Sequence, residues 1–144
     1  CSYLWDVPIS YRTLDANNWK DSNTWLLRNQ KNIQIPRGQG VDWIKVNNDY
    51  MGYYAVNYDE DVWNIFASMM QNDAQRSKFT PSDRANLIAD AFKLAAAAQL
   101  NYSIPFEFAK SLRKETHAVP WEIGYYALEN IRLLLASSPT SSAL

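Results

Sequence analysis

DWIKVNNDYMGYYAVNYDEDVW, residues 42–63, decides how the chain is read. It sets Trp, Tyr and Val around one glycine, Gly52, and ends near three acids, Asp59, Glu60 and Asp61. DWIKVN and GYYAVNY read as two strands joined by NDYM. On the second, the period of two puts Tyr54, Val56 and Tyr58 on one face and Tyr53, Ala55 and Asn57 on the other. Gly52 is expected to permit the backbone bend that feeds this strand. After Asp59 the period changes. Apolar residues fall at Val62, Trp63, Phe66, Met69 and Met70, which is helical spacing, with Asp59 as N-cap and acids in the first turn. The stretch therefore predicts a core hairpin that runs into a helix, and capping alone explains its acids.

Upstream the pattern is extended. LWDVPISYRT (4–13) alternates Leu4, Asp6 and Pro8 against Trp5, Val7, Ile9 and Tyr11. Pro8 cannot donate to a ladder, so it belongs at an edge or a bulge. NTWLLRNQKNIQI (23–35) is a second extended segment and PRGQG (36–40) a turn. Downstream the pattern is helical. Thr80 is placed as N-cap, Pro81 at N1 and Asp83 at N3, with Leu87, Ile88, Ala91, Phe92 and Ala95 as the buried stripe. A helix from Ser103 turns Phe108, Ala109 and Leu112 inward. A last one, from near Pro120, turns Trp121, Tyr125, Leu128 and Leu135 to one side. The tail SSPTSSAL is expected to fray. Helix starts recur about every twenty residues, so two antiparallel pairs suggest a HEAT- or armadillo-like repeat. The expected fold class is α+β in two parts. A partial antiparallel β-sandwich occupies residues 1–59, and antiparallel helical pairs occupy 60–144.

Composition narrows the functions. The chain has 144 residues, 47% hydrophobic and 20% charged, as in globular proteins. Lys and Arg number 14 against 15 acids, split six to six over residues 1–59 and eight to nine over the rest. Neither part is a basic patch, which argues against a nucleic-acid partner. No apolar run approaches the roughly 20 residues of a membrane-spanning helix, so no membrane contact is expected of this segment. The start, CSYLWDVPIS, does not read as a signal peptide.

Candidate chemistry is sparse. One cysteine, Cys1, allows no internal disulfide and no cysteine-based metal site. A catalytic zinc site takes several His and carboxylate ligands, and His117 stands alone. Its context, KETHAVPW, reads as a turn between helices, with a surface or capping role. Glu115 and Glu122 flank it, but their spacing does not establish an acid–base pair. Asp59, Glu60 and Asp61 lack the offsets and central glycine of a calcium loop. Arg84 could grip a carboxylate, such as a peptide C-terminus, beside Asp83 and Asp90. Pairing with a neighbouring acid, or capping a helix, is the stronger reading. Trp43, Trp63 and Tyr54 occupy inward positions, whereas Trp19 lies in a loop. Gly38 and Gly40 precede no helix, so they form no phosphate loop. Asn101-Tyr102-Ser103 is an N-glycosylation sequon, relevant to a secreted protein.

Taken in order, YLWDVPISY, WIKVNNDYMGYYAVNYDEDVW, PSDRANLIADAFKLA and ETHAVPWEIGYYAL resemble the gluzincin zinc aminopeptidases of the aminopeptidase N, aminopeptidase A and endoplasmic-reticulum type. The similarity runs from Tyr3 to about Leu135 and covers most of the small β-sandwich domain and the start of the C-terminal helical domain. One departure is Ala55, where the family carries Arg. Both ends resemble cuts. The family's zinc motif, H-E-x-x-H, cannot be built with His117 alone, and its G-x-M-E-N exopeptidase motif is absent, so no catalytic, metal or cofactor residue is carried over.

The resemblance implies a non-catalytic fragment of a zinc-dependent enzyme that removes N-terminal residues from peptides. Zinc and peptide substrate would be bound only in the parent. This part would link the catalytic domain to the helical domain that closes over the substrate, and its partners would be the remainder of the parent. The parent would lie on the extracellular face of a membrane, in the secreted fraction or in the endoplasmic-reticulum lumen. Unpaired sheet edges and an uncapped helical pair also suggest self-association of the fragment. A stand-alone protein- or carbohydrate-binding module without catalytic activity is the alternative, motivated by the aromatic surplus. A small hydrolase built on His117 is a third reading.

Overall fold

The computed structural model describes residues 3–15, 18–36, 40 and 43–136, apart from the side chains at 14, 15, 18 and 19. Cys1, the Trp19 side chain, Gly38 and the 137–144 tail lie outside the described residues. The architecture is mixed α+β, and the chain divides into two compact units, Cys1–Val56 and Asn57–Leu144.

In the first unit, β1 (Val7–Asp15), β2 (Asn18–Leu26) and β3 (Lys45–Val46) form an antiparallel sheet in the order β2-β1-β3. The β1·β2 register runs from Val7↔Leu26 to Asp15↔Asn18. β-Branched and aromatic residues recur along β1 at Val7, Ile9, Tyr11 and Thr13, as a pleated and partly covered surface favours. Pro8 sits in the central strand, but β3 meets β1 only at Tyr11 and Arg12. The proline therefore stands where it interrupts no β1·β3 bond, which meets its edge-like requirement.

The Arg12↔Asp21 cross-strand pair carries a bidentate ion pair, with Nε–Oδ1 at 2.6 Å and Nη2–Oδ2 at 2.9 Å. Arg12 hydrogen bonding holds the Asp21 carboxyl below the ordinary carboxylate range. Arg28 clasps Asp6 in the same way, its backbone N–H donating to Oδ1 at 2.7 Å and Nη2 to Oδ2 at 2.8 Å.

The predicted hairpin does not form. β3 pairs with β1, and residues 51–58 join no strand. Asn47 supplies the physical reason. It adopts a left-handed backbone (φ 63°), and Asp49 and Tyr50 follow at φ 53° and 59°, so the chain turns through a short 3-10 segment, Asn48–Tyr50. The buried Asn47 amide then takes over hydrogen bonds that a partner strand would make. Gly52 N–H donates to its Oδ1 at 2.7 Å, and its Nδ2 donates to Gly52 O at 3.1 Å and Tyr54 O at 3.3 Å. Burial still alternates from 52 to 58, with Tyr54, Val56 and Tyr58 covered more than Tyr53, Ala55 and Asn57. The period of two matches the alternation of burial, but not a paired strand. Gly52 also has another role than bending. A Cβ there would fall 2.2 Å from Tyr54 Cε1, so the residue makes room for a ring.

The second unit contains α1 (Glu60–Gln71), α2 (Asp73–Arg76), α3 (Pro81–Ala96), α4 (Ser103–Ser111) and α5 (Ala118–Ala136), with a 3-10 turn at Leu112–Lys114. The predicted α1 stripe is inward, with Trp63, Phe66, Met69 and Met70 buried. Tyr58, Trp63, Phe66, Phe79 and Phe108 meet edge to face with ring centroids 5.0–5.9 Å apart, a favourable quadrupole geometry. α3 is buried on nearly all sides and carries all five predicted stripe residues in the core. Asp59 precedes α1 as expected, but its side chain makes no capping bond. Glu60 and Asp61 still favour that end of the helix through its dipole.

Thr80 caps α3 as expected, its Oγ1 accepting from Asp83 N–H at 3.1 Å. Thr80→Ala should lower stability by about 1 kcal/mol and Thr80→Ser by much less, read from urea midpoints. Equal midpoints for the two variants would remove the cap from the account.

α5 turns a different face inward from the one predicted. Pro120 and Gly124 are buried, whereas Tyr125 and Leu135 are 60% and 62% exposed and Trp121 is exposed as well. Leu128 is half-buried. The helix is apolar on several sides, so period alone could not choose a face. Gly124 marks it: a Cβ there would lie 2.5 Å from Leu112 Cδ1, so a larger residue would force the Leu112 side chain to move.

Candidate functional site

The chemistry-bearing residues singled out in the sequence separate into a buried ion pair and several solvated positions. Arg84 on α3 reaches the segment between the 3-10 turn and α5, where it grips Glu115. Nε donates to Oε2 at 2.6 Å and Nη2 to Oε1 at 2.9 Å, while Nη1 donates to Phe79 O at 2.7 Å. The two side chains are only 11% and 3% exposed. All three guanidinium nitrogens thus have partners within the chain, and Arg84 holds an internal carboxylate rather than presenting itself to an external one.

Glu115 organises the start of α5. Its Oε1 also accepts from Thr116 N–H and His117 N–H, both at 2.9 Å. Burial pushes its carboxyl up. The hydrogen bonds from Arg84 and His117, the Arg84 charge and the Thr116 N–H outweigh that, and the net position is below the ordinary range. His117 is exposed, and its Nδ1 accepts from Val119 N–H at 3.3 Å, a capping role at the first turn of α5. Trp121 Nε1 donates to Glu115 O at 3.0 Å. Glu122 is exposed on α5. The Glu115–His117 link runs through a backbone N–H and does not join carboxylate to imidazole.

The remaining candidates are dispersed. Asp59, Glu60 and Asp61 are exposed around the start of α1. Asp83 and Asp90 are buried on α3, and Asp90 accepts from Asn86 Nδ2 at 2.9 Å. Among the described residues no three His, Cys, Asp or Glu side chains cluster so as to hold a metal ion. No helix among them is long and apolar enough to cross a membrane. Trp43 and Trp63 are in the core, Ala55 is exposed, and Gly40 has a left-handed φ of 75°.

Two surface features went unread in the sequence. One is a cleft of about 490 Å³ in the first unit, where Pro8, Ile9, Thr24 and Trp25 of the sheet face Met51 and Tyr54. It requires the turn at Asn47, which no period in the sequence signals. The other is α5 itself, where Trp121, Tyr125, Tyr126, Leu133, Leu134 and Leu135 are all exposed, at positions spread around the helix. An isolated glycine inside a helical pattern, Gly124, was the available signal of which side is the packed one. Neither surface carries a nucleophile paired with a base.

Residues 43–144 match the family described as the ERAP1-like C-terminal domain. Aminopeptidase N of Rattus norvegicus is 32% identical over 137 residues, which cover 95% of this chain and 14% of that protein. Aminopeptidase A of Gloydius brevicauda is 33% identical over 138 residues, covering 90% of this chain and 13% of its own length. Aminopeptidase N of Homo sapiens is 29% identical over 137 residues, again 95% of this chain and 14% of that protein.

Proposed function

Because this chain belongs to the ERAP1-like C-terminal domain family and is related to aminopeptidases along most of its length, we propose that it is a non-catalytic part of a zinc-dependent aminopeptidase. The parent removes N-terminal residues from peptides, with its zinc and its substrate held by other parts of the protein. Residues 1–59 belong to a small β-sandwich. Residues 60–144 begin a helical domain of HEAT- or armadillo-like pairs. Together they link the catalytic domain to the helical domain that closes over the substrate. The parent works on the extracellular face of a membrane, as a secreted protein or in the endoplasmic-reticulum lumen.

One observation carries this reading. The similarity extends over 95% of the chain but only 14% of the relative's length, and the one histidine of the 144 residues cannot supply H-E-x-x-H. The exposed apolar residues of α5 support the partner assignment. Exposed apolar side chains in this number favour a covering element, here the remainder of the parent. The same side chains make the isolated segment prone to self-association.

The test compares the full-length protein that carries this segment with the 144 residues alone. The full-length protein should hydrolyse aminoacyl-nitroanilides and lose that activity to a zinc chelator, regaining it with added zinc. The segment alone should hydrolyse none. Peptidase activity in the segment, or a full-length protein without it, would overturn the proposal. Saturable peptide or carbohydrate binding by the segment in the second case would turn the reading to a binding module.

A further inference from the structure

We propose that Asn101 carries an N-linked glycan. The inference rests on the reading that places this segment on the lumenal side of the secretory membrane. Asn101-Tyr102-Ser103 is the only N-x-S/T triplet in the chain, and its middle residue is not proline. The fold puts it where a glycan can remain. α3 ends at Ala96 and α4 begins at Ser103, and the chain reverses between them through Ala98 at a left-handed φ of 57°. Asn101, Tyr102 and Ser103 are all exposed.

The asparagine is held at its oxygen end. Its Oδ1 accepts from Ser103 N–H at 2.9 Å, and its backbone carbonyl accepts from Ile104 N–H at 3.1 Å. Nδ2, the atom to be modified, makes no hydrogen bond among the described residues. A glycan on Nδ2 therefore displaces no internal bond and buries no polar group. Beside it lies an open depression of about 610 Å³ lined by Ala95, Ala98, Gln99, Leu100 and Tyr102 with Asn101 itself. Its lining has no charged side chain, and Tyr102 packs with Phe106 at 6.1 Å with both rings partly exposed. A first sugar has room there, and the Tyr102 ring offers its apolar face a surface.

The step is a group transfer from a polyprenyl-pyrophosphate-linked oligosaccharide. Nδ2 forms a bond to C1 of the terminal N-acetylglucosamine, the C1–O bond to pyrophosphate breaks, and lipid pyrophosphate leaves. One amide proton is released, and nothing is oxidised or reduced.

The test expresses the full-length protein in a eukaryotic secretory cell, once with its own targeting and once behind an added cleavable signal sequence. Peptide-N-glycosidase F in heavy-oxygen water converts a glycosylated Asn101 to labelled Asp. The label is read in the tryptic peptide 94–110, which contains no other asparagine. Labelled peptide from the signal-directed protein, lost in Asn101→Gln and Ser103→Ala and retained in Ser103→Thr, is the expected result. An unlabelled peptide from that protein overturns the proposal, and because modification precedes folding, misfolding does not obscure it. Label in the signal-directed form alone upholds the site and overturns the proposed localisation.

Discussion

Arg84→Ala should destabilise the helical unit by about 3–5 kcal/mol, because it leaves the Glu115 carboxylate buried without its cation. The bidentate pair and the Phe79 carbonyl bond are lost together. Surface pairs such as Lys110–Glu107 and Arg132–Glu129 should cost far less when broken, because solvent screens them. Replacing both partners, as in Arg84→Met with Glu115→Leu, should recover much of the loss, since the desolvated charge goes too. Urea unfolding followed by tryptophan fluorescence measures all three. A double variant no more stable than Arg84→Ala would mean that shape, and not charge, governs this corner.

The pH dependence has a definite sign. The folded Glu115 carboxyl lies below its ordinary value, so its contribution is fully present above the ordinary carboxylate range. It is lost as pH falls through the depressed folded value. In Arg84→Ala only burial and the two backbone N–H bonds remain. Without the Arg84 bond and charge the folded carboxyl rises from its wild-type position, so the charged form is less favoured than in wild type. The deficit of Arg84→Ala against wild type should thus be largest at neutral pH and shrink in acid. A deficit that stays constant with pH would remove Glu115 ionisation from the explanation.

Trp63→Ala should cost a similar 3–5 kcal/mol through the cavity left by a large aromatic side chain. Trp63 is fully buried, meets Tyr58 and Phe108 edge to face, and donates from Nε1 to Asn57 Oδ1 at 2.9 Å. Trp63→Phe keeps most of the ring contact and drops the hydrogen bond, so about 1–2 kcal/mol is expected. Thermal unfolding of the two variants separates packing from the polar contact. Equal losses would show that the Asn57 bond is the larger contribution.

Glu115 marks the limit of sequence reasoning at the candidate site. Arg84 was legible as a residue that pairs with an acid, but its partner lies 31 positions away on another element. No local spacing encodes that distance. His117 was legible as a capping residue because its immediate context is a turn before a helix, and the Nδ1 bond to Val119 N–H lies within two residues. Local chemistry was readable where both partners are near in sequence.

The sequence by itself determined the family, the change from extended to helical chain near residue 59, the Thr80 cap and the core stripes of α1 and α3. Each rests on short-range terms: period, propensity and capping, which act within a few residues. Only the tertiary structure decided that Asn47 replaces a strand partner for residues 52–54, that α5 packs its Pro120 and Gly124 side inward, and that Arg84 closes on Glu115. In each, short-range pattern leaves the outcome open. Contacts between residues distant along the chain, or room for one particular side chain, settle the choice.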